Sequence, residues 1–515
     1  GNEVSTDLNS TNETAGDRRI YLEAMVDYNR TFGRHDVNAM LLYNQDELVN
    51  NVPGNNLINS LPKRKQGLAG RLSYAYDGKY MAEVNMGYNG SENFAKGHRW
   101  GFFPSIALGY NISEESFFEP LRKVITSMKL RGSWGLVGND QIGGERFIYM
   151  PTINLSGKGF TTGIDQNYGL SGPVYTRYEN NSITWEVGEK INLGIDLQLL
   201  NSLNIVVDIF RETRRDIFQK KGTIPTYLGT GNTDVFGNLA EMKNQGLDLS
   251  IDYNKAFSKD FYMNFKGTFT YAHNEITKYD EAPKYAFQSK VGQSANVSQG
   301  YLSNGLFLDE AEIDRYNQQM GSTLGAGDIK YLNVSNMHGY GDDIVDVDDW
   351  TWIGNPTVPE IVYGFGPSFK YKNWDFSFFF QGVAKTSLFM SGFHPFGDNS
   401  LRNVLQFVAN DRWSPTNQNV DAKYPRLTRK TSLNNTNPGN SGRTSDYWMR
   451  DGSFLKLKNM ELGYTFKRMR FYISGSNLLT FSKFDLWDPE QGGGSGLKYP
   501  TQRVFNVGFQ MTFNN

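Results

Sequence analysis

Arg503-Val504-Phe505-Asn506-Val507-Gly508-Phe509-Gln510-Met511-Thr512-Phe513 is the stretch whose reading decides the fold. From Phe505 onward one parity is apolar (Phe505, Val507, Phe509, Met511, Phe513), and the other is Asn506, Gly508, Gln510 and Thr512. Successive side chains of a strand point to opposite faces, so the segment carries one apolar and one polar face. A run of roughly ten residues is what a tilted transmembrane β-strand needs to cross a bilayer core. The edge of a soluble sandwich would alternate in the same way, so the rest of the chain must choose between them.

Composition narrows the choice. The 515 residues include 54 glycines and 14% aromatics, yet the mean hydropathy is −0.53. No apolar run reaches the roughly 18 residues of a membrane helix, whereas a membrane barrel hides its hydrophobicity in alternation and can be polar on average. With no cysteine, disulfides, thiolate chemistry and Cys-ligated metals are excluded together. A net charge of −2 offers no electrostatic case for nucleic acid. The opening Gly1-Asn2-Glu3-Val4 has neither a basic nor an apolar signal region, so any export signal is expected to have been removed or to lie outside this chain.

Alternation recurs along the chain. Strands are expected near 20–28 and 35–44, where Val37, Ala39, Leu41 and Tyr43 share a parity, with a turn at Asn29 to Arg34. Others are expected near 67–76 and 80–90 around Asp77-Gly78, a strong hairpin signal. The pattern continues near 102–112 and 127–137, joined by Ser113 to Ile125 with room for a short helix, and near 190–200 and 203–214, which meet at Asn201-Ser202. Further pairs are 245–254 with 261–273, 359–371 with 374–385, and 453–466 with 469–481, before the last strand at 505–513. Leu455 and Leu457 are out of phase with Met460, Leu462 and Tyr464, which predicts a β-bulge near Lys458-Asn459.

Between the pairs lie longer segments: 45–66, 91–101, 138–189, 215–244, 274–358, 386–452 and 482–502. Short turns alternating with long loops are what outer-membrane barrels show, with short periplasmic turns and long extracellular loops. The expected fold class is therefore all-β, a transmembrane antiparallel β-barrel. Some fifteen strands are expected, an odd number in a class whose bacterial single-chain members have even ones.

Several stretches also carry a resemblance. Phe94-Ala95-Lys96-Gly97, Arg99-Trp100-Gly101-Phe102-Phe103-Pro104-Ser105, Lys129-Leu130-Arg131-Gly132-Ser133-Trp134-Gly135, Trp185-Glu186 and Asn244-Gln245-Gly246-Leu247-Asp248 are joined by Ile353-Gly354-Asn355-Pro356, Tyr424-Pro425-Arg426-Leu427, Asp451-Gly452-Ser453-Phe454-Leu455-Lys456 and Gly475-Ser476-Asn477-Leu478. Together these resemble the barrel of SusC-like TonB-dependent transporters. The resemblance implies import across the outer membrane, energised through TonB, of oligosaccharides or peptides, with a SusD-like surface lipoprotein as lid. It also implies that residues 1–515 are the C-terminal part of such a barrel. The plug, the TonB-contacting N-terminal part and about seven of some 22 strands would be missing, with residue 1 in an extracellular loop. The strands near 20–28 and 505–513 would then pair with those missing strands, and outer-membrane lipid would surround the wall. A passive pore, or a scaffold for assembly or secretion, is the alternative.

Candidate chemistry is sparse. Asp342, Asp343, Asp346, Asp348 and Asp349, after Asn333, Ser335 and Asn336, supply oxygens of the kind a Ca²⁺ loop uses. In relatives this region resembles D-x-N-x-D-G; here Asn333 replaces the first Asp and Met337 to Gly341 interrupt the spacing. A solvated acidic loop is the reading preferred, with calcium as the alternative. His35, His98, His273, His338 and His394 show no H-E-x-x-H pattern, Gly229-x-Gly231 is too short for a phosphate cradle, and Gly439-Asn440-Ser441-Gly442 lacks the G-x-S-x-G spacing. No catalytic, metal or cofactor residue is assigned, and nothing argues for an enzyme. Tyr43, Tyr464, Phe466, Phe509 and Phe513 are expected at the lipid interface. Trp350, Trp352, Trp413 and Trp448 lie in long loops, where they either stack on substrate or pack inside the loops.

Overall fold

A computed structural model describes residues 16–51, 57–142, 146–225, 227, 234–316, 318–319, 324–340, 342–390, 404–427, 435 and 444–513. One 15-stranded sheet organises them, and its strands follow one another in chain order. These are β1 (Asp17–Phe32), β2 (His35–Asn50), β3 (Lys63–Tyr76), β4 (Tyr80–Ser91), β5 (Trp100–Asn111), β6 (Ile125–Asn139), β7 (Glu186–Leu199), β8 (Leu203–Lys220), β9 (Phe236–Ala256), β10 (Phe261–Lys278), β11 (Ile361–Tyr371), β12 (Trp374–Ala384), β13 (Phe454–Phe466), β14 (Met469–Ser482) and β15 (Val504–Met511). Every neighbouring pair is antiparallel, as expected of a meander closed by hairpins. Among the described residues β1 and β15 stand at opposite ends of the sheet and pair on one side only.

All fifteen expected strands are present, and most are longer than the alternation indicated. β1 runs to Phe32, so its turn to β2 shrinks to Gly33-Arg34. β8 reaches Lys220 and β9 starts at Phe236. The last strand is shorter than expected, ending at Met511 rather than Phe513. The bulge is where the phase break put it: Asn459 pairs with Phe379 and Leu457 with the adjacent Phe380, leaving Lys458 as the extra residue against β12. The segment after β5 forms two short 3-10 helices, Ile112–Glu114 and Ser116–Leu121. This connection lies at the short-turn end and is longer than the one at 92–99 opposite, the one departure from the expected alternation.

The outward face is apolar. Phe505, Val507 and Phe509 are 73%, 87% and 56% exposed, as lipid-facing side chains must be when no lipid is counted. Rings cluster near the short turns, where Tyr80 stacks on Tyr110 at 5.1 Å and Trp374 packs on Tyr464 at 4.7 Å. At the opposite end Tyr88 stacks on Trp100 at 4.8 Å. Two such bands suit the two bilayer interfaces.

Among the described residues the buried apolar clusters are built mainly from the loops. The described residues of segments 279–360 and 386–452 fold together around Tyr301, Ile329, Tyr331, Met390, Trp413 and Trp448. A smaller core gathers Phe94, Ile142, Ile148, Ile183 and Trp185 over the tops of β4 to β8. Within the 138–189 segment, Thr152–Thr162 and Tyr168–Arg177 add a separate hairpin.

Candidate functional site: a polar wall capped by folded loops

The second parity of the wall strands is polar and bonded across strands. Arg131 on β6 reaches Asp196 on β7 at 2.8 Å and Asp208 on β8 at 3.0 Å. Arg470 on β14 pairs with Asp375 on β12 and, at 2.5 Å, with Glu461 on β13. Each guanidinium crosses over a glycine: a Cβ at Gly194 would lie 2.8 Å from Arg131 Nη2, and one at Gly463 would lie 2.6 Å from Arg470 Nη2. These positions need glycine because an arginine bridging two strands sweeps across the backbone of the strand between. Smaller links, such as Ser73 to Glu83 at 2.8 Å and Thr270 to Asp248 at 2.7 Å, continue the ladder. Ionisable groups are tolerated inside a spanning barrel when they are paired and face its lumen, so this parity is the lumenal one.

The residues that carried the resemblance turn out to be joints between loops and wall. Arg426 of Tyr424-Pro425-Arg426-Leu427 holds the fully buried Asp328 from another loop. Gly354 has φ +68 beneath Met449, and the Thr386 hydroxyl and Ser387 amide donate to the Pro356 carbonyl, each at 3.0 Å. Lys456, 1% exposed, meets Asp488 at 2.5 Å and Glu490 at 2.8 Å. Trp185 packs against Phe94 and Phe103, while the Glu186 carboxylate accepts from the Phe218 amide at 3.1 Å and from Asn139 at 2.9 Å. A Cβ at Gly246 would lie 2.0 Å from the Tyr271 carbonyl oxygen.

The acidic run is a capped turn. Asp349 is fully buried, and its carboxylate accepts from the Ser335 amide at 2.9 Å and the Asp346 amide at 2.8 Å, closing a capping box on Val347–Asp349. Burial pushes the Asp349 carboxyl above its ordinary range, against those two amides. Burial works the same way on Asp342, but Asn333, Ser335 and the Ile344 amide outweigh it and hold that group below. Asp348 pairs with Lys284, and Asp346 caps the Asp348 amide at 2.8 Å. Most of these oxygens are therefore committed to protein donors, and among the described residues no three His, Asp or Glu side chains converge as metal ligands would. The described histidines are dispersed: His35 meets the Tyr74 hydroxyl, His273 meets Glu360 and His338 stacks on Phe287. Gly229, Gly231, His394 and Gly439 to Gly442 lie outside the described residues.

The loop tryptophans pack inside the loops. Trp413 and Trp448 are 5% and 0% exposed in the loop core, and Trp352 donates to the Ser289 carbonyl at 2.8 Å. Trp350 packs on that core and also borders a cleft of about 670 Å³ between the top of β8 and the loops above β10. This cleft carried no signal in the sequence, because its walls come from three segments far apart in the chain.

The model of the TonB dependent receptor-like β-barrel family matches residues 1–478, and the chain belongs to that family. TonB-dependent receptor P3 of Formosa agariphila is 26% identical over 481 residues, covering 86% of this chain and 45% of that protein. TonB-dependent receptor SusC of Bacteroides thetaiotaomicron is 28% identical over 471 residues, covering 86% of this chain and 43% of its own length. The chain thus spans about half the length of the curated relatives it matches. Among solved structures, a chain of the RagAB peptide transporter superposes with a TM-score of 0.70 at 20% identity, covering 96% of this chain and 56% of that one. At that identity the likeness speaks for the fold.

Proposed function

We propose that this member of the TonB dependent receptor-like β-barrel family is part of an outer-membrane nutrient import channel, energised through TonB and working with a SusD-like lipoprotein lid. Its substrates on this reading are oligosaccharides or peptides. The observation that carries it is the division of labour in the chain. A lipid-facing wall has a polar, ion-paired inner parity, and its long loops build their own buried core at one end, giving a rigid outer mouth on which a lid can seat. The resemblance to SusC-like transporters implies either substrate class, and a peptide transporter is among the solved structures that share the fold.

The one-sided edges of β1 and β15 support a wall completed by further strands of the same protein. An edge left open to hydrocarbon costs several kcal/mol for each unpaired backbone group. Relatives about twice as long have room for those strands, for a plug and for a part that meets TonB.

Uptake of labelled oligosaccharides and peptides by cells carrying the whole receptor tests the reading. Uptake should stop when TonB is deleted or the proton gradient collapsed, and should fall when the lipoprotein is removed. Uptake that persists without TonB would leave a passive pore, and no uptake of either class would leave a scaffold.

A further inference from the structure

We propose that the short-turn rim of β9 to β15 binds the phosphate of anionic phospholipids, a proposal that rests on the wall crossing a membrane and not on what is imported. Three lysines set on the lipid-facing aromatic band carry it. Lys255 Nζ lies 5.5 Å from the Phe257 ring centroid, Lys372 Nζ 5.5 Å from that of Tyr371, and Lys467 Nζ 5.6 Å from that of Phe466. All three rings are about half exposed. Tyr371 pairs with Trp374 and Phe466 with Met469 across their turns, and Lys255 pairs with Met263, so these residues stand on the apolar parity. An ammonium within about 6 Å of a ring is attracted to its face, and interfacial rings mark the level where hydrocarbon gives way to headgroups. The three charges therefore sit at headgroup depth on the lipid side of the wall.

Their counter-charges are missing from the protein. The turns of this sector carry five cations, Lys255, Lys259, Lys372, Lys467 and Arg468, and one carboxylate, Asp260. Among the described residues none of the six forms an ion pair. On the lumenal parity of the same strands Lys370 adds a further cation, and the carboxylates of Asp375 and Glu461 are taken by Arg470. From β1 to β6 the same rim is balanced. There Arg34 meets Asp77 and Lys79 meets Glu115, each at 3.7 Å, and Arg30, Arg122 and Lys123 are matched in number by Asp36, Glu114 and Glu119.

Lys372 and Lys467 also run against the chemistry of their turns. Each takes the first position of a two-residue hairpin connection, at φ +51 and +54. That conformation suits Gly and, less well, Asn or Asp, and the turn between β3 and β4 uses Asp77-Gly78 for it. A lysine in that place twice over is explained by a need for charge there. A zwitterionic headgroup brings its own ammonium and answers the excess only in part. A net-anionic phosphodiester brings none and forms charge-assisted hydrogen bonds with the lysines.

The test is native mass spectrometry of the full-length receptor in non-ionic detergent, mixed with phosphatidylglycerol or phosphatidylethanolamine. Phosphatidylglycerol should bind at least about fivefold more tightly, the contribution of one lysine near an anionic surface. Lys255→Gln, Lys372→Gln and Lys467→Gln combined should abolish that preference, whereas Arg34→Gln with Lys79→Gln, in the balanced sector, should keep it. Lys372→Gly with Lys467→Gly relieves both turns and should still weaken phosphatidylglycerol binding by about fivefold, which separates lipid binding from folding. Inorganic phosphate should not compete. Equal binding of the two lipids, a preference that survives the triple variant, or one lost as fully in the Arg34 and Lys79 variant overturns the proposal. Full competition by inorganic phosphate would make this a free-anion site and overturns it too. So does an acidic protein that co-purifies with the parent and leaves the triple variant while lipid preference is unchanged, since the rim would then seat a protein. Heat-shifted migration on gels confirms that each variant is folded. The membrane reading fails separately, when the receptor stays in buffer without detergent.

Discussion

Asp328 and Arg426, 98 residues apart, meet in a two-pronged ion pair, Nε to Oδ1 at 2.5 Å and Nη2 to Oδ2 at 3.1 Å, with the aspartate fully buried. The Asn435 amide at 2.7 Å and the Gly325 backbone N–H at 3.0 Å complete the carboxylate's shell. The pairing keeps the Arg426 guanidinium protonated beyond its ordinary range, against burial. Two long loops thus become one body through a charge that cannot be left alone. Arg426→Met should destabilise the loop body by about 3–5 kcal/mol, the usual cost of stranding one partner of a buried pair. Limited proteolysis on intact cells should show faster cutting in 279–360 and 404–427, while the heat-shifted gel migration of the wall stays normal. Asp328→Asn added to Arg426→Met should recover much of the loss, and a double variant as labile as the single one would show that the charge is not the cause.

A buried cation sets an acid limit. Lys456 is enclosed between Asp488 and Glu490, and Lys458 reaches Glu490 at 2.7 Å. Burial acts to raise both carboxyls, but the lysines outweigh it and hold each below its ordinary value of 3.8 or 4.5. A depressed folded value means the contribution is complete above the unfolded value and is lost as pH falls through the folded one. Loop stability followed by tryptophan fluorescence should therefore be insensitive to this cluster from pH 7 to about 4.5 and fall below about 4. Glu490→Gln should soften that fall. A Glu490→Gln difference that already grows between pH 7 and 5.5 would contradict the assignment.

The wall was legible because lipid on one side and lumen on the other enforce a period of two, and because short turns carry their own chemistry at Asp77-Gly78 and Asn201-Ser202. Strand tops were not. Gln219 and Phe236 sit where side chains pack on loops instead of lipid, so the alternation fades there while the ladder continues. The loop core was illegible for a different reason. Tyr301, Ile329 and Trp448 meet only through tertiary packing, and Asp328 reads as one more polar loop residue until its partner is placed. The motifs of the resemblance marked the right positions but gave no reason for them. That reason is geometric: Arg426, Gly354 and Lys456 are where loops are fastened to one another or to the wall.

Gly463 tests the lumenal arches. A Cβ there would lie 2.5 Å from Asp375 Oδ2 and 2.6 Å from Arg470 Nη2, atoms that cannot move aside without breaking their pairing. Gly463→Ala should cost about 1–3 kcal/mol, as overpacking typically does, and lower the temperature at which the protein loses its folded gel migration. Gly194→Ala should behave alike, since Asp208 Oδ1 and Arg131 Nη2 crowd it at 2.5 and 2.8 Å. Gly169→Ala is the control, with nothing within 4 Å of its Cβ position. Equal midpoints for all three would mean that the arches bend without penalty.

The sharpest test of which parity meets lipid uses neighbours on one strand. Val507 pairs with Ile473, and both lie on the apolar parity at 87% and 55% exposure. Asn506 pairs with Ser474 on the other parity. Because side chains alternate strictly, moving one residue along β15 carries a substituent from hydrocarbon to water without changing its depth. Val507→Arg should therefore cost about 2–4 kcal/mol if it lies near the bilayer midplane, and should reduce the amount of folded protein in the membrane. Asn506→Arg places the same charge on the lumenal parity and should insert at close to the parental level. Arginine is the informative choice because its cost on a lipid face is larger than that of an acidic residue. The reverse ordering would put the polar parity against lipid and require the Arg131 and Arg470 triads to face outward. Equal insertion of both variants would mean that β15 lies outside the hydrocarbon, and the alternation of Phe505 to Met511 would then belong to a soluble edge.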